Sequence, residues 1–170
     1  VEERKQAITR LDPRPRGKYQ QVLLANADQA VFVFACAHPN PKLKMLDRFL
    51  VIAEKQKIPA IVVANKIDLV DAAKSMFGLY ETIGYHVVYT SAKKGDGLDE
   101  LKKVLARKIS AFAGPSGAGK SSLLNAIQPG LGLAVNEVST AMNKGKHTTV
   151  TRELFALDGG GYVADTPGWK

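Results

Sequence analysis

Two kinds of apolar spacing alternate along this chain. Ala30–Ala35, Ala60–Ala64, His86–Thr90 and Ile109–Ala113 are short runs in which most positions are apolar. Runs so short and so continuous predict strands buried on both faces. Between them, Leu43, Leu46, Leu50 and Ala53 recur every three or four positions, and Leu98, Leu101, Val104 and Leu105 mark another helical face. That spacing predicts amphipathic helices, the first over about 42–57, with others over about 71–83 and about 119–127. Pro39-Asn40-Pro41, Gly84 and Pro129-Gly130 punctuate the series. After an irregular stretch, 131–149, two more strands are expected at Val150–Leu157 and Tyr162–Asp165. Asp158-Gly159-Gly160-Gly161 between them has the composition of a hairpin turn.

Strands alternating with helices imply an α/β fold of three layers. Its sheet is mainly parallel, covered on both faces, with one antiparallel strand from the hairpin. Such sheets bind ligands at the carboxyl ends of their strands. Residues 1–29 lack the alternation, and Asp12-Pro13-Arg14-Pro15-Arg16-Gly17 reads as a turn or linker.

Composition narrows the class. With 170 residues, 45% hydrophobic and 24% charged, the chain is long and apolar enough for one globular domain, or one plus a stub. Disorder, collagen and coiled coil are excluded. The longest apolar run, Ala30–Ala37, is far shorter than the roughly 18 residues of a membrane helix, so no membrane partner is expected. The polar start has no secretory core and Cys36 is the single cysteine, which makes the cytoplasm the expected compartment. A first residue of Val rather than Met leads us to expect a partial chain. Cys36 with His38 makes no zinc site, because two ligands without further partners do not hold the metal. The formal charge is +8. Basic side chains gather at Arg4–Lys18, at Lys102, Lys103, Arg107 and Lys108, and at Lys144, Lys146 and Arg152. Together the clusters point to a polyanionic partner, nucleic acid above all.

The chemistry sits just after the strands. Gly114-Pro115-Ser116-Gly117-Ala118-Gly119-Lys120-Ser121 follows one strand and opens a helix, and Ser122 continues it. This is a phosphate-binding loop: glycines bring backbone N–H groups to the phosphate oxygens, and the helix N-terminus adds positive potential. Lys120 reaches the β- and γ-phosphates, and the Ser121 hydroxyl suits Mg²⁺. Asn65-Lys66-Ile67-Asp68 follows a second strand, where the Asp68 carboxylate can accept from the N1–H and exocyclic amine of guanine together. Adenine offers no such donor pair and would leave the carboxylate unpaired. Ser91-Ala92-Lys93 follows a third strand and can contact guanine O6 through its backbone. Asp165-Thr166-Pro167-Gly168 closes the last strand, with Asp165 toward Mg²⁺ and the Gly168 N–H toward the γ-phosphate. A threonine hydroxyl in the irregular stretch, Thr148 or Thr149, can complete the Mg²⁺ shell. The ligands implied are GTP or GDP and Mg²⁺.

The base-reading motifs come first, the phosphate loop third and the switches last, which is a circularly permuted order. Ala25-Asn-Ala-Asp-Gln-Ala-Val31, Asp47-Arg-Phe-Leu50, the phosphate loop continued to Asn125, Gly145-Lys-His-Thr-Thr149 and Asp165-Thr-Pro-Gly168 resemble one family. It is that of the circularly permuted GTPases of small ribosomal subunit assembly, the RsgA/YjeQ type. The resemblance implies a P-loop NTPase fold and slow GTP hydrolysis, stimulated by the 30S subunit during its late maturation. Its implied partners are that subunit and its 16S rRNA, met by a monomer. Permuted GTPases of large-subunit assembly fit less well, because they usually carry Asn at the place of Gly117 and lack the Lys-His-Thr-Thr element. A second alternative is a GTP-dependent ribosome-binding switch in which hydrolysis is incidental.

Ras-like enzymes orient the attacking water with a Gln after the DxxG glycine, but Trp169 stands there. The resemblance assigns catalysis to His147 beside Lys120, and Mg²⁺ coordination to Thr149 ahead of Thr148, with Ser121 and Asp165. Full-length members add an N-terminal OB-type barrel and a C-terminal helical zinc module. Residues 1–24 are expected to be a linker or the end of that barrel, 25–170 the GTPase domain, and any zinc to lie in the absent module.

Overall fold

A buried seven-residue strand, Gln29–Ala35, organises the molecule. The computed structural model describes residues 3, 7–11, 20–133 and 154–165. In chain order its elements are β1 (Ala7–Leu11), β2 (Gln20–Ala25), β3 (Gln29–Ala35), α1 (Leu43–Lys55), β4 (Ala60–Asn65) and α2 (Ala73–Thr82). They continue with β5 (His86–Thr90), α3 (Leu98–Leu105), β6 (Ile109–Ala113), α4 (Lys120–Ile127), β7 (Leu154–Ala156) and β8 (Tyr162–Asp165). Alternate residues of β3 face opposite layers. Ala30, Phe32 and Phe34 pack with Leu46, Phe49 and Leu50 of α1 and with Phe77 and Tyr80 of α2. Val31 and Val33 pack with Leu101 and Leu105 of α3 and with Leu123 and Leu124 of α4. Helices on both faces explain why the sequence shows a continuous apolar run rather than alternation.

The main sheet has six strands in the order β5-β4-β3-β6-β8-β7. All neighbours are parallel except β7, which runs antiparallel to β8. The chain winds outward from β3 through β4 to β5, then crosses back to lay β6 on the other side of β3. The winding therefore reverses between β3 and β6, and the crevice at their carboxyl ends is where a ligand belongs. The amino ends of the same two strands are clamped. The Ile109 N–H donates to Asp28 Oδ2 at 2.7 Å, and the buried Gln29 amide donates to Ser110 Oγ and to the Val104 carbonyl, each at 2.9 Å.

Helix ends fall within two residues of the expected ones. α2 stops before Gly84, whose φ of +100° is the left-handed conformation that lets the Tyr85 N–H return to the Tyr80 carbonyl at 2.9 Å. The strand expected to reach Leu157 ends at Ala156, because the Leu157 N–H turns to the Gly161 carbonyl and closes the hairpin. Residues 150–153 of that expected strand lie outside the described residues. The N-terminal segment, expected to be a linker or the end of a barrel, carries β1 and β2, which pair with each other, Ala7 opposite Ala25 and Leu11 opposite Gln20, as a separate antiparallel ribbon. Among the described residues no helix is long and apolar enough to cross a membrane.

Candidate functional site

The phosphate loop leaves β6 at Gly114, whose φ is +153°. A Cβ there would fall on the Val33 carbonyl oxygen, so the loop starts flush against β3. Gly119 caps the start of α4 with φ +92°, and a Cβ on it would strike the Asn65 amide. Lys120 folds back over the loop: its ammonium donates to the Gly114 carbonyl at 2.9 Å and to the Pro115 carbonyl at 3.2 Å. The loop is thereby built around one cation and the positive end of a helix, the pairing that binds phosphate. Ser116 is exposed on the loop, whereas Ala118 is fully buried among the α3 and α4 core side chains.

Asn65 ends β4 and is 1% exposed. Its amide donates to the Ala118 carbonyl at 2.9 Å, and its own carbonyl oxygen accepts from the Thr90 hydroxyl at 3.1 Å. One side chain thus fastens the ends of β4 and β5 to the phosphate loop. Asp68 lies in the tight turn Ile67–Leu69 and accepts from the Ser91 hydroxyl at 2.6 Å. That hydrogen bond first, then the backbone and the charges of Lys94 and Lys93, hold the Asp68 carboxyl below its ordinary value against an opposing push from burial. Asp68 is a fixed, ionised acceptor. Ser91 itself is fully buried, and its hydroxyl also accepts from the Lys94 N–H at 3.1 Å. Its part is to orient Asp68. Ile67 is half-buried against the α1/α2 core.

Lys66 sits in the left-handed region at φ 63° and extends past Gly119, where its ammonium donates to the His38 carbonyl. Burial lowers its pKa. These segments enclose a cavity of about 380 Å³, lined by Asn65, Lys66, Asp68 and Leu69 on one wall, by Ala92 and Lys93 on a second, and by Gly119 and Ser122 on a third. A volume of this size suits a small ligand. The ends of β4 and β5 and the start of α4 therefore converge as the three motifs predict.

Three residues escaped the sequence reading. Thr90 orients Asn65, and His38 and Pro39 form a strap beside the loop, with Pro39 Cδ 3.2 Å from where a Gly117 Cβ would stand. The signal was available, because His38-Pro39 follows the carboxyl end of a parallel strand as every other site segment does. Cys36, at the same strand end, is a buried thiol pushed up to about 11 by desolvation and then by Asp68.

Mg²⁺ takes oxygen ligands and needs only one or two protein groups beside phosphate oxygens and water. Ser121 is the second residue of α4, and Asp165 ends β8 in register with Phe112, two residues before the loop. Both positions stand at the carboxyl side of the sheet, and a hydroxyl and a carboxylate are oxygen donors of the kind the ion takes. Thr148, Thr149, His147 and Gly168 lie outside the described residues. So do the basic cluster at Lys144–Arg152 and, apart from Arg10 in β1, the one at Arg4–Lys18.

Comparison with known proteins follows the same lines. The RsgA GTPase family matches residues 1–170. A relative from Gemmatimonas aurantiaca, named small ribosomal subunit biogenesis GTPase RsgA, is 47% identical over 175 residues, covering 96% of this chain and 57% of its own. One of the same name from Moorella thermoacetica is 48% identical over 167 residues, covering 96% and 56%. The chain spans somewhat over half the length of these curated relatives. The crystal structure of YjeQ from Thermotoga maritima superposes with a TM-score of 0.72 at 41% identity, over 99% of this chain and 53% of that one. YloQ, described as a circularly permuted GTPase, gives 0.66 at 36% identity, over 98% and 50%. A family match across the whole chain, on a sheet in which the strands before Asn65–Asp68 and Ser91–Lys93 precede the one before the Gly114–Ser121 loop, leads to one conclusion: this chain belongs to the RsgA GTPase family and has a circularly permuted GTPase fold.

Proposed function

We propose that the chain binds GTP and hydrolyses it slowly in late assembly of the small ribosomal subunit, which stimulates turnover. The single observation that carries this reading is the cavity in which Asp68, fixed and ionised by Ser91, faces a phosphate loop tied to it through Asn65. The relatives' name, small ribosomal subunit biogenesis GTPase, supports the partner. On this reading Asp68 reads the guanine, Lys66 and Ala92 flank it, and Lys120 with the loop N–H groups holds the phosphates. Ser121, Asp165 and Thr149 hold Mg²⁺, which supplies charge neutralisation when bound. His147 orients the attacking water, and the Gly168 N–H registers the γ-phosphate. The separate β1–β2 ribbon supports a boundary near residue 25, with 1–24 as the end of a preceding barrel. A zinc module outside the chain, a monomeric state and a cytoplasmic location belong to the same proposal, on the resemblance alone.

Phosphate release from GTP, measured with and without purified 30S subunits, tests the reading. Slow release that rises with subunits is expected, as is a His147→Ala variant that loses single-turnover rate while keeping nucleotide affinity. Tight GTP binding with no release under either condition would instead favour a switch in which hydrolysis is incidental.

A further inference from the structure

The nucleotide cavity takes the carboxyl ends of the strands, and the opposite end of the sheet carries a different chemistry. α3 is acidic at its start, with Asp99 and Glu100, and basic at its close, with Lys102 and Lys103. Arg107 and Lys108 follow in the turn into β6, and all four cations are exposed. Among the described residues no carboxylate pairs with Lys102, Lys103 or Arg107, while Glu100 is held by His86 at 3.0 Å. Cations in the last turn complement a helix dipole, which accounts for Lys102 and Lys103. It does not account for Arg107 and Lys108, which stand beyond the helix.

Arg107 is the more telling residue. Its φ is +58°, a left-handed conformation where glycine is the default and a side chain is strained. The surroundings hold it there. The Arg107 N–H donates to the Gly160 carbonyl at 2.9 Å, and the Lys108 carbonyl accepts from the Tyr162 N–H at 2.8 Å. Gly161 packs so closely that a Cβ on it would stand 2.7 Å from the Lys108 carbonyl oxygen. A left-handed residue just past a helix end is an ordinary helix stop, as at Lys57 after α1, but here the hydrogen bonds to the hairpin fix the place from which the exposed Arg107 extends. Lys108 keeps donors to spare after giving one to Gln29 Oε1 at 3.2 Å.

Residues 98–108 include no aromatic side chain, and Tyr162, exposed beside the turn, is a single ring, whereas single-strand binders stack successive bases on several. Charge without a row of stacking rings suits the phosphates of a double helix, which are recognised by shape and spacing. The five residues of β6 separate this turn from the phosphate loop by about 17 Å at roughly 3.3 Å each. We propose that Lys102, Lys103, Arg107 and Lys108 form a docking surface for the phosphate backbone of double-helical RNA, engaged equally in the GTP and GDP states. The choice of RNA as the polyanion rests on the function proposed above. The surface itself rests on the geometry of the α3–β6 turn.

The test is fluorescence anisotropy with a labelled blunt RNA duplex of about 16 base pairs. The chain is titrated at several salt concentrations, with GDP and with a non-hydrolysable GTP analogue. Wild type should bind with a steep salt dependence and equal affinity in the two states. Each lost phosphate contact should weaken binding about five- to tenfold near 0.1 M salt and flatten the log–log salt slope by about one unit. Arg107→Gly should lose one contact, and Lys102→Gln with Lys103→Gln should lose two. Arg107→Gly also separates docking from structure: the melting temperature should hold or rise while RNA affinity falls, because glycine relaxes the backbone. Binding of labelled GDP should stay at the wild-type value in both variants.

RNA affinity unchanged in both variants would overturn the surface. So would a drop in melting temperature without loss of RNA binding, or wild-type binding to phosphatidylserine vesicles but not to the duplex. Failure of wild type to bind GDP would strike the functional reading instead, leaving the RNA titration to decide the surface alone.

Discussion

The Gly114–Ser121 loop and the Asp68 corner touch through Asn65, yet they are held in shape by different means. The loop stores its form in the backbone, with Gly114, Gly117 and Gly119 all at positive φ. The corner stores its form in side-chain hydrogen bonds, Thr90 to Asn65 and Ser91 to Asp68. The loop should therefore fail when an atom is added, and the corner when a polar group is removed.

The largest effect tests the loop. Gly119→Ala combines left-handed strain of about 1–2 kcal/mol with displacement of the buried Asn65 amide, about 1–3 kcal/mol more. Urea unfolding should report a loss of about 2–5 kcal/mol, and labelled GDP should no longer bind. A stable variant that binds GDP would mean that the loop is more pliable than its contacts imply.

Deletion at the corner comes next. Asp68→Asn should weaken GTP binding by about 1.5–3 kcal/mol, roughly tenfold to 150-fold by calorimetry, and shift preference toward xanthine nucleotides. Unchanged GTP affinity would show that another group reads the base.

Ser91→Ala is milder and shows itself in pH. Asp68 titrates below its ordinary 3.8 in the folded chain, so what the charged carboxylate contributes is complete above that value. It is lost as pH falls through the lower, folded value. GTP affinity should accordingly show no Asp68 titration between neutral pH and about pH 5. Removing the Ser91 hydroxyl takes away the leading cause of the depression, so the acid fall should begin at higher pH in Ser91→Ala. Coincident profiles would remove Ser91 from its positioning role.

The smallest effect is expected at Gly117→Asn. Asparagine accepts a φ of +78° better than most residues, so what remains is contact with Pro39. A loss of a few-fold in nucleotide affinity, recovered when Pro39→Ala is added, would establish the strap as a wall of the loop.

The same contrast governs how much was legible beforehand. β3, β4 and β6 could be read because strands buried on both faces leave mostly apolar runs, interrupted only by Gln29 and Asn65 at strand ends and by Ser110. The loop could be read because positive φ demands glycine at fixed spacing, and the Asp68 corner because its chemistry requires a carboxylate. Thr90 could not, because it acts through a hydroxyl that many sequences would supply, and the His38–Pro39 strap was marked only by its place after a parallel strand. β1 and β2 could be read only as the alternative to a linker, for another reason. A two-stranded ribbon with Thr9, Arg10, Gln20 and Gln21 in it has no apolar period, and the prolines between its strands resemble a linker.

Asn65 also bears on how this pocket could be re-engineered. A single amide is shared by the ends of β4 and β5 and by the Gly114–Ser121 loop, so the two halves form one module rather than two exchangeable parts. On the function proposed above, nucleotide preference is retuned at Asp68, which leaves the shared amide untouched. Any redesign that reaches Asn65 alters base choice and phosphate affinity together, and a screen for altered specificity should recover changes on the cavity wall far more often than at this joint.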